Sequence, residues 1–253
     1  MKSNLSSSEN PMENSLSYSP FDIPCLIEQE GLRITVKREG DSIRYSREYK
    51  AEAVEKMLLA KRGHLLFNPV EPVNKPKEIT PFFLIQFQQS VTIKPRESYR
   101  VLVTFPVDIA CLFMETGQSF AVMDIFSLSE QKYTLYGSPK SGLICRYWES
   151  GVYPSSPPSP DPLREGIMQI SIRNTTPRWI EVTQAIFSAN EMKIYYDPKT
   201  VYAETYMKIL SETTAETGFN QVDQEKQLEQ SLEIMASKKT IMTGAKQLME
   251  EGI

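Results

Sequence analysis

Hydrophobic side chains alternate with polar ones along much of the chain. The segment 32–36 alternates in this way, Gly40-Asp41 supplies a turn, and the segment 43–49 resumes the same period of two. Because this period places successive side chains on opposite faces of a β-strand, the pattern predicts a hairpin.

The alternation returns in later segments, and turn residues separate them. It is found at 83–87, 101–105, 168–172 and 180–186. Between 107 and 148, strand patterns follow one another about every ten residues, which is typical of a β-sandwich. The block that turns at Asn174-Thr175-Thr176 resembles the paired edge of an immunoglobulin-like sheet. We therefore predict an all-β fold, an immunoglobulin-like or related antiparallel β-sandwich.

The pattern changes near the C-terminus, where apolar residues recur at spacings of three, four and seven. Residues 222–250 contain no Pro and one Gly. The apolar positions there are Leu228, Leu232, Met235, Met242, Ala245 and Met249. This spacing predicts a C-terminal amphipathic α-helix. Two arrangements stay open: the helix packs on its own core, or it docks a protein partner or a second copy of the chain.

These patterns divide the chain into three parts. Residues 1–20 are rich in Ser and Asn and contain few apolar side chains, so we expect a disordered tail. Residues 21–212 carry the strand patterns and form the predicted β-sandwich core. Residues 213–253 form the predicted helical tail.

Charge and cysteine content narrow the class of protein. The whole chain carries −4; residues 1–20 have one base against two acids, and residues 213–253 have four bases against seven acids. The predicted core is therefore neutral, which argues against a nucleic-acid partner. Three isolated cysteines without paired spacing suit a reducing compartment. With no signal peptide and no transmembrane segment in the sequence, we expect a cytoplasmic protein, although docking to a membrane protein stays open.

The sequence offers little catalytic chemistry. His64 is the only histidine, so a metal site built from several histidines is excluded, and no acidic loop marks a carboxylate site. We therefore predict no metal, no cofactor and no catalytic residue. The glycines, hydroxyls and lysine of residues 136–142 suit an anion, but a hairpin turn is the simpler interpretation of this segment.

Three long stretches carry a family resemblance. They are NPVEPVNKPKEIT at 68–80, DIFSLSEQKYTLYGSPKSGLICRYW at 124–148 and DPLREGIMQISIRNTT at 161–176. They resemble an uncharacterised archaeal protein family, domain of unknown function 432, over residues 25–212. The resemblance implies no activity, cofactor or catalytic residue.

Each of these stretches contains a Pro- or Gly-rich loop, and loops held by a rigid scaffold concentrate binding residues. We expect the three loops to converge on one binding surface. Its candidate residues are Glu71, Asn74, Tyr136, Lys140, Arg146 and Arg164.

The resulting functional hypothesis is a non-enzymatic protein-binding β-sandwich that docks a partner, or self-associates, through residues 222–250. One alternative is a module that binds a sugar or an anion through the loops around residues 136–146. Another is an enzyme of unfamiliar mechanism, with Glu71 or Asp161 as its base.

Overall fold

The structure, a computed structural model, describes residues 13–73, 79–115, 119–155, 159–221, 227–234 and 247–253. The predicted all-β class is confirmed, because strands dominate these residues and a single 3-10 turn at Ala189–Glu191 is their helical element.

The first ten strands follow one another from residue 13 to residue 114. They are β1 (Glu13–Asn14), β2 (Pro20–Phe21), β3 (Cys25–Gln29), β4 (Leu32–Glu39), β5 (Ser42–Tyr49), β6 (Glu52–Leu59), β7 (His64–Val70), β8 (Phe82–Ile93), β9 (Ser98–Pro106) and β10 (Asp108–Met114). The other strands are β11 (Phe120–Phe126), β12 (Lys132–Tyr136), β13 (Leu143–Ser150), β14 (Glu165–Asn174), β15 (Ile180–Ser188), β16 (Tyr195–Asp197), β17 (Thr200–Ile209), β18 (Ala215–Asn220), β19 (Glu229–Gln230) and β20 (Gln247–Met249).

The chain divides into two compact units rather than the predicted single core. Unit 1 contains Met1–Phe67 and Cys111–Asp124, and unit 2 contains Asn68–Ala110 and Ile125–Ile253. Alternation within a strand does not show which strands pair, so the sequence pattern could not reveal this division. A four-stranded sheet has the order β11-β10-β7-β2.

Unit 1 contains a five-stranded sheet in the order β1-β3-β4-β5-β6. The hairpin predicted at 32–49 is confirmed, since β4 and β5 pair in antiparallel register from Leu32 opposite Tyr49 to Glu39 opposite Ser42. One face of this sheet is buried through Ile34, Val36, Ile43 and other alternating positions. The predicted disordered tail is wrong for residues 13–20, because Leu16 and Tyr18 are buried there. Residues 1–12 lie outside the described part of the chain.

Unit 2 contains two sheets. One has the order β12-β13-β8-β15, and the other has the order β19-β16-β17-β14-β9 with β18 and β20 beyond β17. The sheets meet where Phe219 of β18 lies 5.6 Å from Phe187 of β15, between ring centroids. The predicted antiparallel arrangement is correct only in part, because two strand pairs of unit 2 are parallel. They are β13 with β8 and β14 with β17.

The predicted C-terminal helix is wrong where the structure describes residues 222–250. Glu229–Gln230 and Gln247–Met249 are strands, while residues 222–226 and 235–246 lie outside the described residues. Met249 pairs with Ala215 of β18 and is fully buried. Strand pairing at the edge of the sheet therefore outweighs the helical spacing of the apolar residues, because a short segment meets that spacing at only a few positions.

Candidate functional site

The loops of two of the family-like stretches meet at one buried guanidinium. Arg146 lies on β13 with 1% of its surface exposed. It donates hydrogen bonds to Oδ1 of Asp108 at 2.6 Å, to the carbonyl of Pro72 and to Oγ of Ser127 at 3.1 Å. Because Pro72 belongs to the stretch 68–80 and Arg146 to the stretch 124–148, these two segments converge.

The third stretch joins the second through Arg164. Its Nη1 donates to the carbonyl of Leu128 at 2.7 Å, and the hydroxyl of Ser129 donates back to the carbonyl of Arg164 at 2.8 Å. Nε of Arg164 also lies 3.3 Å from Oδ2 of Asp161. The contacts therefore run from the first stretch to the third, and the side chains of Arg146, Arg164 and Ser129 make them.

The surroundings of Arg146 favour stability over ligand binding. Asp108 is fully buried, and it neutralises the guanidinium at short distance. Tyr133 lies directly opposite Arg146 on β12, and burial raises the pKa of its hydroxyl above the ordinary value. A buried charge pair of this kind needs its partners in place, because removing one leaves the other charge without compensation. Arg146 therefore acts as an internal connector.

The other predicted binding residues separate into three environments. Glu71 is buried, with 4% of its surface exposed, whereas Asn74 lies outside the described residues. Tyr136 is buried at the end of β12, where its hydroxyl donates to the carbonyl of Gly252 and accepts from the backbone amide of Glu251, both at 3.0 Å. Lys140 is exposed in the turn that follows.

The segment 136–142 forms the predicted hairpin turn. Tyr136 pairs with Leu143 across it, and the amide of Gly142 donates to the carbonyl of Ser138 at 2.7 Å. Arg146 pairs with Tyr133, three residue pairs further along the ladder, which separates it from Tyr136 by about 10 Å. Arg146 is therefore separate from the hairpin tip, where Tyr136 and Lys140 lie.

A different surface, at the β14–β15 connection, was missed by the sequence analysis. Asn174 ends β14 with 1% of its surface exposed. Its Nδ2 donates to the carbonyls of Ile93 at 3.1 Å, Lys94 at 3.2 Å and Arg178 at 2.7 Å. Its Oδ1 accepts from the amide of Thr176 at 2.9 Å. This side chain therefore binds two neighbouring turns to each other and holds the connection in one conformation.

A surface groove of about 420 Å³ lies beside that connection. It is lined by Thr176, Pro177, Arg178, Leu210, Ser211, Glu212 and Thr213. Arg178 forms an ion pair with Glu212 in the groove wall. The next residue, Trp179, is 64% exposed, the largest aromatic exposure among the described residues. The signal was present in the sequence, since Trp179 is out of phase with the buried Ile180 and Val182.

The described residues provide no metal site and no membrane-crossing helix. No group of three His, Cys, Asp or Glu side chains is placed to hold a metal ion within these ranges. His64 begins β7. In the part of the chain that the structure describes, no helix has the length and apolar character to cross a membrane.

The three cysteines are buried free thiols. Burial raises the pKa of Cys25 to about 11 and that of Cys145 to about 12, and it also raises the pKa of Cys111. Because the thiolate is the reactive form, these side chains are poor nucleophiles at neutral pH.

Comparison with known proteins identifies the family. No curated protein and no solved structure matches the chain. The model of the family described as protein of unknown function, DUF432, matches residues 17–250, a span that covers most of both units and all three of the stretches described above. The chain therefore belongs to the DUF432 family.

Proposed function

We propose that this protein is a non-enzymatic interaction module that docks a protein partner at the β14–β15 connection of unit 2. One observation carries the proposal: Trp179 is 64% exposed on a connection that the buried Asn174 holds in place. When an interface buries an exposed tryptophan, the side chain supplies a large apolar contact area.

The composition of the surface supports docking. Tryptophan and arginine are enriched among the residues that dominate binding energy, and Arg178 and Trp179 are adjacent here. The open groove beside them gives a partner side chain a place to pack. Because hydrogen bonds from Asn174 already order the connection, binding loses less conformational entropy than it would with a flexible loop.

The earlier routes to a binding function have less support. Docking through residues 222–250 rested on an amphipathic helix, and the described residues of that segment are strand or irregular. Sugar or anion binding around residues 136–146 needs polar groups that Tyr136 and Arg146 already commit to internal hydrogen bonds. The cytoplasmic location, the immunoglobulin-like class and the absence of a nucleic-acid partner stay predictions.

The proposal is tested by site-specific cross-linking. A photoreactive amino acid replaces Trp179 in the full chain, and a second sample carries it at Leu59, an 83% exposed apolar residue of unit 1. We expect a protein to be cross-linked from position 179 and not from position 59. The captured protein is then purified, and its affinity is measured for the unmodified chain, Trp179→Ala and the matched control Leu59→Ala.

Loss of a central tryptophan costs about 2 kcal/mol of binding energy or more, which is roughly a 30-fold loss of affinity. We expect this loss for Trp179→Ala, with unchanged affinity for Leu59→Ala. Equal affinity of all three proteins, or equal capture from both positions, would overturn the proposal.

A further inference from the structure

Three exposed bases lie next to one another on the outer face of the larger sheet in unit 2. Arg173 of β14 is directly opposite Lys208 of β17 on one side and Ser98 of β9 on the other. Arg100 of β9, two residues beyond Ser98, is opposite Ser171. Since opposite residues on neighbouring strands share a face, Arg100, Arg173 and Lys208 project from the same side of the sheet. We call these three residues the basic row.

No ion pair among the described residues includes a member of the basic row. The nearest carboxylate by register is that of Glu216, opposite Lys208 on β18 and at the far end from Arg100. Like charges directly opposite each other destabilise a sheet, and Arg173 faces Lys208 in this way. An anion placed between them would offset this repulsion.

The side chains around the basic row leave room for an anion. Ser98 and Ser171 are short and alternate with the two arginines along the β9–β14 ladder. On the next strand, the ring of Tyr206 lies over Gly218, within 2.7 Å of the position that a Cβ would occupy there. The short hydroxyl side chain of Ser171 therefore has Arg100 opposite it and Arg173 two residues along the same face.

We propose that the basic row binds a carboxylate-rich segment of the partner that docks at Trp179, an inference that rests on the proposed function. The two surfaces are continuous along the strands. Arg173 immediately precedes Asn174, and Lys208 lies two residues before Leu210 in the groove wall. A partner chain that leaves the groove along β14 or β17 therefore crosses the basic row.

The chemistry of the basic row favours carboxylates on a peptide. The planar guanidinium forms two parallel hydrogen bonds with a carboxylate, and two of the three bases are arginines. Neighbouring strands are about 4.8 Å apart and Arg100 is displaced from Arg173 by two residues, so the basic row spans about 12 Å, a length that three alternate side chains of an extended peptide cover. A nucleic acid requires a longer positive surface, whereas this chain carries a net charge of −4.

The test measures binding of a fluorescein-labelled deca-glutamate peptide by fluorescence polarisation at low ionic strength. We expect the full chain to bind it, added salt to weaken the binding, and Arg100→Gln/Arg173→Gln to lower the affinity at least tenfold. The matched control is Arg33→Gln/Lys37→Gln, which removes two exposed bases from one strand of unit 1. Lys208→Gln provides a second variant in case the double variant fails to fold, and we expect about a threefold loss from it.

Absence of peptide binding, or equal weakening by the control variant, would overturn the inference. Tighter binding of deca-thymidylate or of vesicles with phosphatidylserine, lost in Arg100→Gln/Arg173→Gln, would also overturn it, because the site would then prefer phosphate. If position 179 captures a partner while the basic row binds no peptide, the docking proposal stands and this inference fails. If the basic row binds the peptide but position 179 captures nothing, the docking proposal fails and only the acidic-segment site is supported.

Discussion

Nη1 of Arg146 lies 2.6 Å from Oδ1 of Asp108, and both side chains are almost completely buried. The two residues are 38 positions apart in sequence, and Arg146 also donates to the carbonyl of Pro72. One ion pair in unit 2 therefore connects β10, β13 and the loop that follows β7.

Replacement of Arg146 by Met removes one partner of this pair and leaves the carboxylate of Asp108 buried without its countercharge. We expect a loss of about 3–5 kcal/mol in the free energy of unfolding, measured by urea denaturation. The double variant Asp108→Leu/Arg146→Met removes both charges, so we expect a smaller loss. A loss from Arg146→Met below about 1 kcal/mol, the range of an exposed ion pair, would contradict the buried pairing.

Tyr45→Phe tests the polar network inside unit 1. The hydroxyl of Tyr45 donates to Oδ2 of Asp124 at 3.0 Å, and Nε of Arg47 donates to the same oxygen. Because hydrogen bonds to a charged acceptor contribute more than neutral ones, we expect Tyr45→Phe to cost about 1.5–3 kcal/mol of stability by urea denaturation. Tyr99→Phe is the matched control, since Tyr99 is 45% exposed, and its effect should be close to zero. Equal effects of the two substitutions would exclude this network.

Met249→Ala distinguishes the C-terminal strand from a helix. Met249 is fully buried beside β18, whereas the preceding residue, Leu248, is 44% exposed. We expect Met249→Ala to cost about 2–5 kcal/mol of stability, because it leaves a cavity, and Leu248→Ala to change stability by about 0.5 kcal/mol or less. Thermal denaturation of both variants measures the difference. A larger loss from Leu248→Ala would reverse the assigned strand faces.

Alkaline pH should destabilise the protein through its buried thiols. Burial raises the pKa of Cys145 from 9.0 to about 12. Because the folded-state pKa is the higher one, the stabilising contribution of the neutral thiol is complete below pH 9 and is lost as the pH rises to about 12. We expect Cys145→Ala to reduce the slope of unfolding free energy against pH in this range, with Ser141→Ala as a non-titrating control. Identical slopes for wild type and Cys145→Ala would contradict this assignment.

The local alternation of apolar and polar residues was sufficient to predict strands that have one buried and one exposed face. Alternation at 32–36 and 43–49 identified β4 and β5, because each strand has one buried and one exposed face and a period of two follows directly from that geometry. The spacing of Leu228, Leu232 and Met249 predicted a helix. This prediction was wrong because Gln247–Met249 forms a strand by pairing with β18, which lies 30 or more residues earlier in the sequence.

The candidate sites show the same limit in their side chains. The loop-containing stretches identified Arg146 and Arg164, and the structure brings these stretches into contact. Loop composition did not identify Asp108, because the alternating pattern of a strand does not show which basic residue an acidic residue in it will pair with. Trp179 was overlooked although its phase relative to Ile180 indicated exposure, since that exposure becomes informative only beside the groove between the β14–β15 connection and residues 210–213.

By itself, the sequence determined the all-β class, the positions of most strands, the turn at 136–142 and the family. These depend on the alternation of neighbouring residues, on turn residues and on long shared stretches. Only the tertiary structure decided the division into two units, the strand assignment of Met249, the burial of Arg146 with Asp108 and the alignment of Arg100, Arg173 and Lys208 on one face. The physical reason is that strand pairing and charge burial depend on residues distant in sequence, and strand periodicity is the same whichever strand lies alongside.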